Sequence, residues 1–220
     1  MLRVMSNPPS IVFVVDDDDS LRRGLERLLV VNGHTVESFA SAAAFLEYPE
    51  PGCPSCLVLD IRMPYLSGID VQRTVNQVGW ALPIILMTGY ADVETCVVGM
   101  KAGAVDFLLK PFDDDQLLGA VSAALHKSAE SRRERAEYQA IRERFDLLTS
   151  RERQVFELVT KGLLNKQIAG QLGTREGTVK LHRANLVRKL GAHSVTDLVR
   201  MSDRLKEDAT LPSPAMQVSA

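Results

Sequence analysis

The chain has 220 residues, of which 45% are hydrophobic and 25% are charged, and its formal net charge is −2 at pH 7. These values are ordinary for one or two globular domains. No apolar stretch approaches the roughly 20 residues of a membrane helix, and the N-terminus lacks the apolar segment of a secretory signal, so we expect a cytoplasmic protein without membrane contact.

The first half of the chain alternates short apolar runs with amphipathic segments. The predicted strands are 11–15, 35–39, 56–60, 83–88 and 106–110. The predicted helices are about 18–30, 41–47, 67–78, 92–102 and 114–126. Gly33 and Gly103 follow two of these helices as stop signals. Strands that are apolar throughout and alternate with helices predict a parallel, doubly wound α/β sheet covered on both faces.

A pair of cysteines, Cys53 and Cys56, has CxxC spacing. A structural zinc site would need a second pair of ligands, and a redox pair normally lies at a helix N-terminus. This pair precedes an apolar strand instead. We therefore interpret both cysteines as loop thiols, which stay reduced in the cytoplasm.

The segment 127–146 contains no Gly or Pro and mixes both charge signs, which predicts a solvated helix continuing from the fifth helix. Its apolar positions do not hold a heptad, so a semi-rigid spacer is at least as good an interpretation as a coiled coil. We expect five regions in all: a disordered N-terminus (1–10), a first domain (11–126), this linker (127–146), an all-α four-helix domain (147–205) and a disordered tail (206–220).

The last domain has four predicted helices with recognisable start signals. Thr149 and Glu152 form a capping box, and Ser194 with Asp197 opens the final helix, at about 194–204. Asn165 and Thr174 are predicted to cap the second and third helices. The second and third helices, 165–172 and 175–190, fit a helix-turn-helix with a basic outer face on the third helix.

Charge is distributed unevenly between the two halves. Residues 1–125 carry 16 acidic and 8 basic side chains, whereas residues 149–205 carry 5 acidic and 11 basic ones. The basic helix favours an anionic partner such as DNA. A chance imbalance of surface charge, or a solvated basic helix in a protein-interaction domain, is the alternative.

Chemically active side chains collect where the predicted parallel strands end. Asp16 and Asp17 follow the first strand, Asp60 ends the third, Thr88 ends the fourth and Lys110 ends the fifth. Clustered carboxylates repel one another unless a cation joins them, and Mg²⁺ prefers oxygen ligands. The pattern predicts a site for Mg²⁺ and a phosphoryl group, in which an aspartate is the nucleophile.

Each of these residues also has a simpler interpretation. The acidic run 16–19 could cap the first helix, Asp60 could lie in a turn, and Lys110 could be an ordinary surface lysine. The occurrence of five suitable residues at strand ends favours the common site.

Four motifs carry a family resemblance over about residues 10–126. They are VVDDD (14–18), LVLDIRMPYLSG (57–68), MTG (87–89) and MKAGAVDFLLKPF (100–112). In them the chain resembles the receiver domain of two-component response regulators, which implies a flavodoxin-like, five-stranded parallel sheet.

The resemblance also implies roles for individual residues. Asp60 would be the phospho-acceptor, Asp17, Asp60 and the backbone carbonyl of Arg62 would bind Mg²⁺ directly, and Asp16 would act mainly through water. Thr88 and Lys110 would contact the phosphoryl oxygens. Phe107 stands at the position of the family's rotating switch aromatic, although it could equally be a plain core residue.

Two positions depart from frequent choices of the family. Tyr65 stands where the loop often has Gly, and Tyr90 stands where close relatives often have His. Both departures bear on the dephosphorylation rate or on the fit of a partner.

Residues 148–199 are similar to the LuxR-type DNA-binding domain of the NarL/FixJ subfamily. The similarity implies base contacts near Lys180, Leu181 and Ala184. It implies phosphate contacts from four further residues: Lys166, Thr178, Arg183 and Lys189. The last helix would support dimerisation on DNA.

These resemblances together imply a transcription regulator rather than an enzyme, apart from its own phosphoryl transfer and hydrolysis. A sensor histidine kinase would phosphorylate Asp60. The conformation of the fourth and fifth helices and of the fifth strand, the expected dimer face, would then change. The resulting homodimer would bind promoter DNA and act on RNA polymerase. One rival is an aspartyl-phosphate enzyme, which would usually need an acid–base carboxylate where Arg62 stands. The other is a binding module with an unphosphorylated receiver.

Overall fold

The computed structural model describes residues 10–89 and 93–207, except for the side chains of residues 93–96 and 207. The chain divides between Arg132 and Arg133 into two units, each with its own hydrophobic core. The predicted start of the fourth helix at residue 92, Tyr90, and most of the two predicted disordered termini lie outside the described residues.

The first unit is built on a five-stranded parallel sheet. Its strands are β1 (Ile11–Val15), β2 (Thr35–Phe39), β3 (Ser55–Asp60), β4 (Ile84–Thr88) and β5 (Asp106–Leu109). The strand order is β2-β1-β3-β4-β5, and every paired neighbour is parallel. The predicted flavodoxin-like α/β fold is therefore confirmed.

Helices cover both faces of this sheet. They are α1 (Asp19–Val31), α2 (Ala42–Leu46), α3 (Gly68–Gln77), α4 (Val93–Lys101) and α5 (Asp114–Asp146). On β3, Leu57 and Leu59 enter one core cluster while Cys56 and Val58 enter the other. Successive side chains of a strand point to opposite faces, so a strand buried on both sides must be apolar throughout.

The fifth helix continues through the segment predicted as a linker. Helix α5 has 33 residues, and its first turns bury Leu117 and Val121 against the sheet. Ser128 is also buried, and its hydroxyl accepts a hydrogen bond from the backbone N–H of Ser55 at 3.0 Å. The prediction that residues 127–146 continue the fifth helix is thus confirmed.

The second unit contains four further helices after the end of α5. They are α6 (Ser150–Thr160), α7 (Asn165–Gln171), α8 (Glu176–Leu190) and α9 (Val195–Glu207). Their shared core contains Val155 and Phe156 of α6, Ile168 of α7, and Val179 and Leu186 of α8. The predicted all-helical arrangement, with its inner faces on α7 and α8, is confirmed.

Two of the predicted helix caps are wrong. The cap of α7 is Leu164, whose backbone N–H donates to the side chain of Gln167 at 2.8 Å, and Asn165 is the first helical residue. The cap of α8 is Arg175 rather than Thr174, and its side chain makes no capping hydrogen bond. The capping box of Thr149 and Glu152 is confirmed.

The cysteine pair is split between a loop and a strand. Cys53 lies in the loop and is half-buried, whereas Cys56 lies inside β3 and is buried, so the interpretation of both as loop residues is wrong for Cys56. Both are free thiols. Burial raises the pKa of Cys56 to about 12, so this thiol stays protonated and unreactive.

Among the described residues, none of the helices combines the length and the apolar character needed to cross a membrane.

Candidate functional site

Four strands of the first unit end at the same edge of the sheet and bring the predicted acidic site together. Asp16 directly follows β1, Asp60 is the last residue of β3, Thr88 is the last residue of β4, and Lys110 directly follows β5. Because the strands are parallel, their carboxyl ends lie side by side. Residues that are up to 94 positions apart in the chain, such as Asp16 and Lys110, therefore become neighbours.

The ammonium group of Lys110 bridges two of the carboxylates. Its Nζ donates to Oδ2 of Asp16 at 2.7 Å and to Oδ1 of Asp60 at 2.9 Å. Asp16 is 1% exposed and Asp60 is 6% exposed. A buried carboxylate is costly unless it is paired, so Lys110 is the residue that makes this burial tolerable.

Burial and pairing shift the pKa values of Asp60 and Lys110. Burial raises the pKa of Asp60 above its ordinary 3.8, although the hydrogen bond and the charge of Lys110 act in the opposite direction. Burial disfavours the ammonium of Lys110, but its hydrogen bonds to Asp16 and Asp60 outweigh that effect and raise its pKa above 10.5. The Asp60 carboxylate is thus more basic than an ordinary one, which suits a nucleophile.

The acidic run after β1 has three separate roles. Asp16 accepts from Lys110 and from the backbone N–H of Asp18 at 2.9 Å. Asp18 caps α1 by accepting from the backbone N–H groups of Ser20 and Leu21. Asp17 is exposed at the pocket. Helix capping therefore explains Asp18, but it does not explain Asp16 or Asp17.

Three carboxylates could together hold a metal ion. One oxygen each from Asp16, Asp17 and Asp60 lies within 4.8 Å of the others. Oxygen ligands of this type match the preference of Mg²⁺, which in proteins usually completes its coordination with water and phosphate oxygens. Lys110 already neutralises part of the charge, so the cluster retains an excess of negative charge that a divalent ion could balance.

Of three other predicted residues, Thr88 and Arg62 adjoin the bridged groups, and Phe107 lies two residues before the end of β5. Thr88 is buried, and its carbonyl accepts from the backbone N–H of Lys110 at 2.7 Å, which joins the ends of β4 and β5. The backbone N–H of Arg62 donates to the Asp60 carboxylate, and the Arg62 side chain is exposed. Phe107 on β5 is partly buried against the core of the unit.

Two residues that support the pocket do not appear in the sequence-based site. Arg22 of α1 donates from Nη1 to the carbonyl of Asp16 at 2.8 Å. At Gly68, an added Cβ would meet the carbonyl oxygen of Asp60 at 2.5 Å. The glycine in the motif at 57–68 was a usable signal for this close approach, whereas Arg22 shows none, because any surface helix carries arginines.

The loop between β3 and α3 is closed tightly behind Asp60. The backbone N–H of Gly68 donates to the carbonyl of Ile61 at 3.0 Å. Inside the loop, Met63 and Leu66 pack against the core, and Tyr65 is fully exposed with φ at +70°. The position where the family often has Gly is therefore one where the backbone has a positive φ.

In the second unit, helix α8 presents most of the predicted DNA-contacting residues on its surface. Five of the seven predicted residues are exposed: Lys166 on α7, and Thr178, Lys180, Leu181 and Ala184 on α8. Leu181, at 61% exposure, is a large apolar side chain that α8 leaves without cover. Such a side chain suits contact with an apolar group, for example the methyl group of thymine.

Two of the predicted phosphate-contacting residues are engaged within the unit. Arg183 donates from Nη1 to the Oδ1 of Asn165 on α7 at 2.7 Å. Lys189 donates to the buried carboxylate of Glu152 at 2.7 Å and to the carbonyl of Leu147 at 3.1 Å. Their predicted contacts with DNA phosphates stay predictions, and both side chains also hold α8 against its neighbours.

Comparison with known proteins assigns both units. The family model of the response regulator receiver domain matches residues 12–122, and that of the bacterial regulatory proteins of the luxR family matches residues 146–202.

Individual relatives match over nearly the whole chain. The response regulator protein TodT of Pseudomonas putida is 42% identical over 206 residues, which cover 94% of this chain and 91% of TodT. The transcriptional regulatory protein FixJ of Azorhizobium caulinodans is 44% identical over 191 residues, covering 87% of this chain and 90% of FixJ. The solved structure of the response regulator StyR has 44% identity and a TM-score of 0.80, and it covers 89% of this chain and 99% of its own.

Proposed function

Since the chain belongs to the two-component response regulators of the NarL/FixJ type, with a receiver domain and a LuxR-type DNA-binding domain, we propose that phosphorylation of Asp60 controls its binding to promoter DNA. The observation that carries the proposal is the bridge from Lys110 to Asp16 and Asp60 at the carboxyl edge of the sheet. It pairs the buried, more basic carboxylate of Asp60 with a cation that can also pair with the negative charge of an incoming phosphoryl group.

The chemical step is an in-line phosphoryl transfer. A carboxylate oxygen of Asp60 forms a P–O bond while the P–N bond of a phosphohistidine breaks, and the electron pair of that bond remains on the imidazole. Lys110 then pairs with the phosphoryl oxygens, and the Thr88 hydroxyl donates to one of them. The sensor histidine kinase that carries this phosphohistidine is therefore the proposed phosphodonor partner of the chain.

Asp16, Asp17 and Asp60, with the backbone carbonyl of Arg62, are the groups that would hold Mg²⁺. Bound there, the ion would offset the negative charge that develops on the phosphoryl oxygens. The proximity of the three carboxylates supports this assignment.

The phosphoryl group acts as a switch through Thr88 and Phe107. Thr88 moves towards the phosphoryl oxygen, and Phe107 turns into the space that this movement opens. A change from 1:99 to 99:1 in the two states needs about 5.5 kcal/mol of differential interaction, which an ion pair, a metal bridge and a hydrogen bond can jointly supply.

Dimerisation of the phosphorylated receiver connects the switch to DNA. The face proposed for the homodimer consists of α4, β5 and the first half of α5. It exposes four large apolar side chains, Val97, Val98, Met100 and Leu109, which a partner copy would cover. Two recognition helices α8 then meet two half-sites of the promoter, and α9 supports the pairing on DNA.

On DNA, we assign base contacts to Lys180, Leu181 and Ala184 at the exposed face of α8. Phosphate contacts are assigned to four residues: Lys166, Thr178, Arg183 and Lys189. RNA polymerase is the expected downstream partner, and a cytoplasmic location follows from the place of the DNA target. The proposed domain limits are 11–126 for the receiver, 127–146 for the linker and 147–205 for the DNA-binding domain.

The aspartyl-phosphate enzyme is less well supported than the regulator. Such an enzyme would use a carboxylate two residues after the nucleophile, and Arg62 occupies that place with an exposed cationic side chain. A cation there cannot act as a general acid–base catalyst near neutral pH.

The experiment that tests the proposal compares the wild-type chain with Asp60→Asn. With a small phosphodonor and Mg²⁺, the wild type should take up one acid-stable, base-labile phosphoryl group and Asp60→Asn should take up none, as measured by intact-protein mass spectrometry. A gel-shift titration on promoter fragments should then show tighter binding for the phosphorylated wild type. A wild type that takes no label would support the unphosphorylated binding module instead.

A further inference from the structure

We propose that Tyr65 is a docking residue for the protein that delivers the phosphoryl group to Asp60. The inference rests on the proposed function, because it requires a phosphodonor protein. It concerns a side chain that neither the core of the receiver nor the acidic pocket uses.

The backbone of Tyr65 has a conformation that a residue with a side chain rarely adopts. Its φ is +70°, and the N–H of Leu66 donates to the carbonyl of Pro64 across it at 2.9 Å. This hydrogen bond with a positive central φ defines the rare and strained form of the γ-turn. Among residues 10–89 and 93–207, Tyr65 is the one non-glycine residue with a positive φ. A glycine would form the same turn without the steric clash of a Cβ.

The fold gains no burial from this tyrosine. Its exposure is 107%, whereas the neighbouring Met63 and Leu66 pack against the receiver core. A tyrosine ring usually buries much of its apolar surface when a protein folds or binds. A strained backbone that projects an uncovered aromatic ring is explained when a binding partner covers the ring.

The position of the loop indicates which partner this is. The hydrogen bond from Gly68 to Ile61 closes the loop immediately after β3, so Tyr65 lies at the tip of the loop that begins at the phospho-acceptor. The large apolar side chains that are exposed in the described part of the first unit otherwise lie on helices, at a helix end, or on β5. Among the side chains that the structure describes, Tyr65 is therefore the large exposed apolar one in the loops at the pocket edge.

A phosphodonor protein has to cover this edge. The Asp60 side chain is only 8% exposed, so a phosphohistidine must reach it through the opening between the surrounding loops. The surface around the phosphohistidine then lies against those loops. Tyr65 offers it a rigid aromatic ring, a residue type enriched at binding hot spots, on a loop that two backbone hydrogen bonds already fix.

The test compares two phosphodonors on the full-length chain in the presence of Mg²⁺. Acetyl phosphate is small and reaches only the pocket. The second donor is the phosphorylated phosphotransfer domain of a histidine kinase, chosen from the kinases of the source organism as the one that labels the wild type fastest.

Four variants separate the ring from the backbone. Tyr65→Gly and Tyr65→Asn both remove the ring at a position where Gly and Asn accept a positive φ. Tyr65→Phe keeps the ring. Val31→Ser is the matched control, because Val31 is 85% exposed at the far end of α1, at the opposite edge of the sheet.

Loss of the ring should slow labelling by the kinase domain by about tenfold or more, the effect expected for an aromatic hot spot. Labelling by acetyl phosphate should be unchanged, and the melting temperature should not fall. Tyr65→Phe and Val31→Ser should match the wild type with both donors.

The possible failures are distinguishable. Equal kinase-dependent rates for the wild type and Tyr65→Asn would overturn the docking role, and so would a parallel loss with both donors, which would mean that the loop organises the pocket. A wild type that acetyl phosphate does not label would contradict the proposed function itself. Labelling by acetyl phosphate but by none of the kinase domains would overturn both the kinase partner and the docking role.

Discussion

At the scale of single residues, the acidic pocket depends on a side chain of the opposite charge. Lys110 satisfies one oxygen of Asp16 and one of Asp60 at once, and both carboxylates are buried. Removing one partner from a buried charge cluster leaves an uncompensated charge. Lys110 therefore has two functions in the proposed mechanism, because it holds the free pocket together and later pairs with the phosphoryl group.

The backbone next to Asp60 imposes an equally strict requirement at Gly68. Gly68→Ala would place a Cβ 2.5 Å from the carbonyl oxygen of Asp60, so β3 or the start of α3 must shift. We expect a loss of stability of about 1–3 kcal/mol, as for other cases of overpacking, and a slower phosphorylation of Asp60 by acetyl phosphate. Urea denaturation and mass-spectrometric labelling would measure the two effects.

The matched control for this substitution is Gly24→Ala. Gly24 lies inside α1, and an added Cβ there meets no atom within 4 Å. Alanine is favoured over glycine in a helix by about 1 kcal/mol, so Gly24→Ala should stabilise the receiver and leave labelling unchanged. If Gly68→Ala were as stable and as active as Gly24→Ala, the close approach at Asp60 would be of no consequence.

Sequence reasoning found the members of the pocket but not their bonding. Asp16, Asp60, Thr88 and Lys110 could be grouped because the carboxyl ends of parallel strands meet at one edge, whatever the rotamers. The separate roles of Asp16 and Asp18 could not be predicted, because they depend on where α1 begins and on which carboxylate faces Lys110. Which carboxylate accepts which hydrogen bond is decided by side-chain positions that differ by less than the spacing of two residues.

At the scale of elements, the sequence predicted the helices better than their first residues. The starts of α6 and α9 were found because Thr149 with Glu152, and Ser194 with Asp197, form reciprocal hydrogen bonds inside one turn. The caps of α7 and α8 were missed because Leu164 and Arg175 are not capping residue types. At α7 the local signal is Gln167, whose side chain accepts from the Leu164 N–H, whereas α8 has no side-chain cap and packing of its apolar face sets where it begins.

The helices of the second unit are joined by polar contacts that cross from one element to another. Arg151 of α6 donates to the carbonyl of Leu172 at the end of α7, at 2.6 Å. Arg144, near the end of α5, donates to the carbonyl of Leu190 at the end of α8, at 3.3 Å. Each arginine satisfies a terminal carbonyl and complements the negative end of a helix dipole.

The ion pair between Glu152 of α6 and Lys189 of α8 gives a prediction that depends on pH. Burial disfavours the Glu152 carboxylate, but hydrogen bonds from Lys189 and Thr149 outweigh that effect and lower its pKa below 4.5. The ionised carboxylate therefore stabilises the unit above pH 4.5, and this stabilisation is lost as the pH falls through the lowered pKa.

Glu152→Gln should accordingly cost about 1.5–3 kcal/mol at pH 7, the range for hydrogen bonds to charged groups, and progressively less below pH 4.5. Hydrogen exchange of the α6 and α8 amides across this pH range would measure the change. Glu157→Gln, an exposed position on the same helix, should have little effect at any pH. A penalty for Glu152→Gln that is the same at pH 3 and pH 7 would contradict the charged role of the pair.

At the scale of the whole molecule, the two halves of the chain carry opposite net charges and suit different partners. Residues 1–125 contain twice as many acidic as basic side chains, 16 against 8, and residues 149–205 contain 11 basic against 5 acidic ones. The basic part suits a polyanion, and its affinity for DNA should fall steeply with salt. The acidic part suits a cation at the pocket and disfavours contact with DNA phosphates.

The proposed dimer face can be tested on α4. Met100 is 47% exposed, and Met100→Lys would place a charge among the apolar side chains of that face. The phosphorylated variant should remain a monomer at concentrations where the phosphorylated wild type dimerises, because burying an unpaired charge is costly. Sedimentation velocity before and after labelling with acetyl phosphate would show the difference.

Val31→Lys provides the comparison for this substitution. Val31 is 85% exposed at the end of α1, next to β2, which is the edge strand opposite β5, and its replacement should leave both labelling and dimerisation intact. Full dimerisation of labelled Met100→Lys would exclude α4 from the interface.

The hydrogen bond between Ser55 and Ser128 gives strand β3 a second significance. The strand that ends at Asp60 begins at Ser55, whose amide proton is held by a buried hydroxyl of α5. That proton can exchange with deuterium from the solvent only when the helix lifts from the sheet or the strand opens. Its exchange lifetime therefore reports how often α5 separates from the sheet or β3 opens. The reporting amide lies about 17 Å from the phospho-acceptor along the same strand.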